Sequence, residues 1–142
     1  MIQQLLFALA LTIVTVAIHA IGTVFVVIPA AGILARDAKS AARSRPVWTL
    51  TRLVSLLLVL HLLEMAIWAG AFTAAGVLGD FETSLYFSLK SYTTVGYGDV
   101  LPPERWRLVG PIEAAVGVLM LGWSTSIIVA AVGRIYNSGT RE

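Results

Sequence analysis

The sequence predicts an all-α membrane protein, with three helices that each cross a bilayer and a short helix between the last two that enters the membrane and turns back. Two observations carry this. The chain of 142 residues is 58% hydrophobic and 13% charged, with a mean hydropathy of +0.85, whereas water-soluble domains carry about 25% charged residues. Its apolar residues fall into three long runs, near 2–34, 53–78 and 108–133, each long enough to supply the roughly 20 helical residues that span a bilayer. Cysteine is absent, which excludes disulfides and thiolate metal sites. A formal net charge of +2 is too small to suggest a nucleic-acid partner.

The first run, Ile2 to about Leu34, is interrupted only by Gln3, Gln4, His19 and a few threonines and glycines. It far exceeds the roughly 7–15 apolar residues of a secretory signal, and no Lys or Arg precedes it. Pro29 and Gly32 predict a kink or fraying towards its end. Then come Arg36, Lys39, Arg43, Arg45 and Arg52 against the single acid Asp37. Such a basic loop marks the cytoplasmic side, which puts the N-terminus outside and the C-terminus inside; a lipid-binding patch is the other reading.

The second run, about Leu53 to Leu78, carries His61 and Glu64, which at i, i+3 share one face near mid-membrane. Ionisable groups there are costly and face protein rather than lipid. With His19 they form either a proton sensor or a hydrogen-bonded contact between helices. Asp80 then suits the N-cap of a helix through Phe81 to Tyr92. Those 12 or so residues cannot cross a bilayer, so the helix must be re-entrant and sheltered by protein. Its partly negative C-terminus aims at the membrane interior, where it favours a cation.

The next residues are Thr93-Thr94-Val95-Gly96-Tyr97-Gly98-Asp99. Glycine at alternate positions permits a backbone in which the carbonyls of Thr94, Val95, Gly96 and Tyr97 point to one side. With the Thr94 hydroxyl at the inner end, that row suits a hard cation that has shed its water. Pro102 and Pro103 then block helix in an outer turn, and Trp106 suits the membrane interface. The third run, Leu108 to about Gly133, ends at Arg134 on the cytoplasmic side. Glu113 is expected behind the carbonyl row. Gly122, Ser124, Thr125 and Ser126 make a small, partly polar face suited to a wet cavity.

TTVGYGD, with a short helix before it and a membrane helix on each side, resembles the filter region of the potassium-channel pore family, particularly its small bacterial members. The resemblance covers about residues 50–136 and leaves the first 35 outside. It implies a homotetramer in a bacterial plasma membrane, surrounded by lipid, that conducts K+ passively through a filter of Thr93 to Asp99. K+ would be held by Thr94, Val95, Gly96 and Tyr97. Lys90, Asp99 and Glu113 would support the filter, and Gly117 would be the gating hinge unless it serves helix packing. Lys90 stands where relatives place an apolar residue or a glutamate, and Tyr86 and Phe87 replace a frequent Trp. These departures put the hydrogen-bonded cuff around Tyr97 in question.

The expected organisation is an extra helix over 1–35, a cytoplasmic basic loop over 36–52, a pore domain over 53–136 and a cytoplasmic tail over 137–142. No arginine ladder marks the first run as a voltage sensor, and no paired catalytic groups suggest an enzyme. Two other readings stay open: a subunit of a potassium uptake transporter, whose filter-like loops are repeated within one chain, and a nonconducting membrane scaffold.

Overall fold

A computed structural model of the chain describes residues 1–37 and 45–139. Helix α1 (Ile2–Asp37), α2 (Arg45–Ala74), the short α3 (Phe81–Tyr92) and α4 (Val109–Gly139) follow in order, with one 3-10 turn at Glu104–Trp106. Three stretches, Ile2–Phe25, Val47–Ala74 and Glu104–Arg134, are long and apolar enough to cross a membrane. The short α3 packs against α2 and α4, and α1 packs against α2 and α4 from the other side. Lys39 and Arg43 of the basic loop and residues 140–142 of the tail lie outside the described residues.

The buried face of α1 consists of Gln4, Ala8, Leu11, Thr15 and His19, a spacing of three or four residues that keeps them on one side of a helix. Large apolar side chains point outward instead: Leu6, Leu9, Ile13 and Ile21 are exposed. That arrangement inverts a water-soluble protein. Lipid accepts the apolar side chains, and the polar ones must find partners within the protein. Gln4 Oε1 accepts from the Leu108 backbone N–H at 3.2 Å, and Trp68 Nε1 donates to Thr15 Oγ1 at 2.8 Å.

Several boundaries differ from expectation. α1 runs on through Pro29 to Asp37, because in an apolar medium continuing the helix leaves fewer backbone groups unsatisfied than ending it. α2 starts at Arg45, with Pro46 in its first turn, where a missing N–H costs nothing. It ends at Ala74, short of the expected Leu78. Gly76 has a φ of +61°, its N–H donates to Thr73 O at 3.1 Å, and the Val77 N–H donates to Phe72 O at 2.9 Å. This is a Schellman stop, sealed by burial of Val77 with Phe72. Trp106, expected at the interface, is instead buried edge-on to Phe7 at 5.1 Å, because the start of α1 covers it.

Gly117 is where α4 and α3 come closest. A Cβ there would lie 2.0 Å from the Tyr92 carbonyl oxygen, so α4 can seat the end of α3 only with glycine at this position. Replacing Gly117 by Ala should therefore push the two helices apart, at a cost of about 1–3 kcal/mol, read as a lower melting temperature of the detergent-solubilised protein. Unchanged melting would remove close packing as the reason for the glycine.

Candidate functional site

Asp80 caps α3 as expected: its Oδ1 accepts the Thr83 N–H at 2.9 Å and its Oδ2 accepts the Thr83 hydroxyl at 2.7 Å. At the other end the chain leaves the helix without losing contact with it. The Thr94 N–H donates to Ser91 O at 2.9 Å, the Gly96 N–H donates to Lys90 O at 3.3 Å, and Thr93 Oγ1 donates to Leu89 O at 2.6 Å. Thr94, Gly96 and Gly98 have φ values of 62°, 53° and 77°, while Val95 and Tyr97 between them do not take positive φ. The alternation of hand that a one-sided row of carbonyls requires is thus present, at both glycines and at Thr94.

The backbone hand of Thr94, a residue the sequence already singles out, is what sequence reasoning did not foresee. Positive φ in a β-branched residue is rare and costs on the order of 1–3 kcal/mol. The two backbone bonds and the Thr93 hydroxyl bond from the loop to the last turn of α3 are what hold it there. All residues from Thr93 to Asp99 are exposed on this chain, Tyr97 by 74%.

Behind the loop, Lys90 is buried and its Nζ pairs with Asp99 Oδ1, while Tyr86 donates its hydroxyl to Asp99 Oδ2 at 2.6 Å. The ammonium also lies 4.5 Å from the centre of the Tyr86 ring, within cation–π range. The Lys90 ammonium, and after it the Tyr86 hydroxyl, pull the Asp99 carboxyl down to about 2. The same carboxylate raises the Tyr86 phenol above its usual value. Tyr86, noted in the sequence only as a replacement for Trp, thus joins the loop's outer end to α3. Phe87 turns the other way and packs edge-on to Phe72 at 5.6 Å.

Glu113 is fully buried behind α3, as expected, and accepts the Ser88 hydroxyl through Oε1. Ser88 Oγ also lies 2.9 Å from Met65 O, so this one side chain touches both α2 and α4. Glu113 is not brought to Lys90; among the described residues its Oε2 has no hydrogen-bond partner.

Deeper in the subunit, His19, His61 and Glu64 converge, each at least 95% buried. His19 Nδ1 lies 2.8 Å from Glu64 Oε1, and His61 Nδ1 lies 3.3 Å from Glu64 Oε2. Tyr92, the last residue of α3, donates its hydroxyl to Glu64 Oε2, and Ser124 Oγ of α4 lies 3.0 Å from His61 Nε2. The group therefore ties all four helices together immediately below the loop. Ser124 is a correction: it faces into the subunit, while Thr125 and Ser126 stay exposed and bond back to carbonyls of their own helix. Adjacent small polar residues on a helix face different ways, and the sequence does not say which one turns inward.

The family model described as Ion channel matches residues 53–134. Over 42 residues, 30% of this chain and 8% of the relative, it is 55% identical to TWiK family of potassium channels protein 18 of Caenorhabditis elegans. Over 63 residues, 44% of this chain and 12% of the relative, it is 38% identical to Potassium voltage-gated channel protein shk-1 of the same organism. The chain thus spans about a tenth of the length of these curated relatives. No solved structure matches it significantly.

The depressed Asp99 sets a pH window. Its pairing with Lys90 contributes fully above the ordinary carboxyl value of 3.8 and is lost as the pH falls through about 2. The melting-temperature difference between the protein and its Asp99→Asn variant should therefore stay constant from neutrality down to about pH 4. Lys90→Met and Asp99→Asn should each lower the stability of the loop, and the double variant should be little worse than either. Strictly additive effects would show that the two groups act separately.

Proposed function

The chain belongs to the ion-channel family, and on that premise we propose that it is one subunit of a homotetrameric, potassium-selective channel that conducts passively. The observation that carries the reading is the alternation of φ from Thr94 to Gly98, which suits a TVGYG row of one-sided carbonyls. Four such rows about one axis replace the hydration shell of K+ with oxygens, and ions move along them by mutual repulsion between neighbouring sites. Thr94, Val95, Gly96 and Tyr97 bind the ion; Thr93, Gly98 and Asp99 frame them. The family is one of channels rather than enzymes.

Each part of the subunit has a task in this reading. α3 points its C-terminal carbonyls at the membrane interior and so stabilises the cation without placing a carboxylate in its path. The Lys90, Asp99 and Tyr86 contacts hold the outer end of the filter, and Glu113 holds α3 from behind through Ser88. α4 lines the inner cavity, and Gly117, where α4 meets Tyr92, serves as the hinge. Tetramer formation accounts for the exposed Val95 and Tyr97 beside an open cavity of about 550 Å3 between α3 and α4, whose walls include Phe87, Ser91 and Pro111. The basic loop lies on the cytoplasmic side and the N-terminus outside, in a bacterial plasma membrane.

Liposomes holding only the purified protein should take up K+ and Rb+ readily and Na+ poorly. Gly96→Ala should abolish that uptake, because a Cβ at φ of 53° strains the row of carbonyls. Equal K+ and Na+ permeability of the unaltered protein would defeat the proposal, and absence of any flux would favour the nonconducting scaffold.

A further inference from the structure

We propose that His19, His61 and Glu64, with Tyr92, form a binding site for a divalent transition metal, Zn2+ by its donor chemistry, which clamps the first helix to the end of the pore helix. The ligand atoms of His19, His61 and Glu64 all lie within 4.8 Å of one another, and the residues are buried. They come from separate elements: His19 from α1, His61 and Glu64 from one face of α2, and Tyr92 from α3. The Tyr92 hydroxyl lies 3.0 Å from His61 Nδ1 and is bonded to Glu64 Oε2, so a second oxygen donor stands beside the three ligand atoms. Two imidazoles with oxygen donors in a closed, four-coordinate set suit Zn2+, whose bonds to such atoms are about 2.0–2.2 Å.

With both rings protonated on Nδ1, the proton count favours a cation here. Both imidazoles present Nδ1 to the same carboxylate, and both present Nε2 to the same hydroxyl, with Ser124 Oγ 3.0 Å from His61 Nε2 and 3.4 Å from His19 Nε2. If both rings are neutral and donate Nδ1–H to Glu64, both Nε2 atoms need a proton from Ser124, which has one to give. One buried nitrogen then goes unsatisfied, a cost of about 1–3 kcal/mol. A metal on the Nδ1 side removes the conflict. Each ring then carries its proton on Nε2, and the Ser124 oxygen accepts both N–H bonds through its two lone pairs. Outer-sphere bonding of this kind orients histidine ligands in metal sites generally. The Glu64 carboxylate balances one of the metal's charges, and a metal-bound Tyr92, acidified by coordination, can balance the other.

His19 lies outside the residues matched by the family model, so the site belongs to what the added helix brings. It does not touch the filter carbonyls. Its failure would leave the conduction reading standing, and the reverse also holds. An extra proton shared between the two rings, or a His61 that carries its proton on Nε2 and accepts from Tyr92 at Nδ1, are the competing ways to settle the count, and the experiment separates both from a metal.

The full-length protein, purified in detergent without chelator, should carry about one Zn2+ per chain by elemental analysis, or acquire it when Zn2+ is added. Stripping with a chelator should lower its melting temperature, and Zn2+ should restore it. Co2+ in place of Zn2+ should give the intense visible absorption of a tetrahedral N,O site. His19→Asn and Glu64→Gln should each reduce bound metal at least tenfold and abolish that absorption. An unaltered protein that is folded but binds neither Zn2+ nor Co2+ would overturn the proposal in favour of a protonated hydrogen-bond network. Full metal retention in both variants would overturn it by placing the metal elsewhere. Should the variants fail to fold, the Co2+ spectrum of the unaltered protein decides: weak octahedral absorption refutes the site.

Discussion

A twelve-residue helix cannot cross a bilayer, and hydrocarbon cannot solvate the backbone of a loop that turns back within it. Everything around α3 answers that constraint. Asp80 takes its first free N–H groups, Ser88 fastens its middle to α2 and α4, and Tyr92 at its last residue is held by Glu64. The loop that follows can keep three positive φ angles because it is bonded back to the last turn of α3, which α2 and α4 hold in place.

The polar groups divide into two layers with different exposure and different chemistry. At the outer end, Lys90 is buried but Asp99 is half-exposed, so their pairing is partly solvated and supports orientation more than stability. Below the loop, His19, His61, Glu64 and Tyr92 are sealed from solvent, and a missing partner there would leave a polar group bare in an apolar medium. The first helix belongs to this lower layer. On its inward face the polar residues Gln4, Thr15 and His19 each contact a different residue beyond α1, the Leu108 N–H, Trp68 and Glu64.

Much of this was legible in the residues. The positive φ of Gly96 and Gly98, the Asp80 cap, the length of α3, the pairing of Lys90 with Asp99 and the meeting of His19 with Glu64 depend on local chemistry or on the cost of charge in lipid, and both leave marks in a sequence. Other features depend on packing between helices distant in the chain. The burial of Trp106 requires Phe7, the inward turn of Ser124 requires two histidines on other helices, and the bond from Tyr86 to Asp99 requires the chain to double back. Positive φ at Thr94 had no signal, because nothing about a threonine announces that its neighbours will hold it there. One helix end was misjudged where hydropathy alone was followed: the Schellman turn at Gly76 stops α2 inside an apolar stretch.

The central claim is that the carbonyls of Thr94, Val95, Gly96 and Tyr97 from four chains surround one column of dehydrated ions. Anomalous scattering from crystals of the membrane-extracted protein grown in Rb+ tests it most directly. The account predicts a line of Rb+ peaks on a four-fold axis, each ringed by carbonyl oxygens of these residues. An assembly without that axis, or a four-fold assembly whose axis holds no ion beside Thr94 to Tyr97, would contradict it.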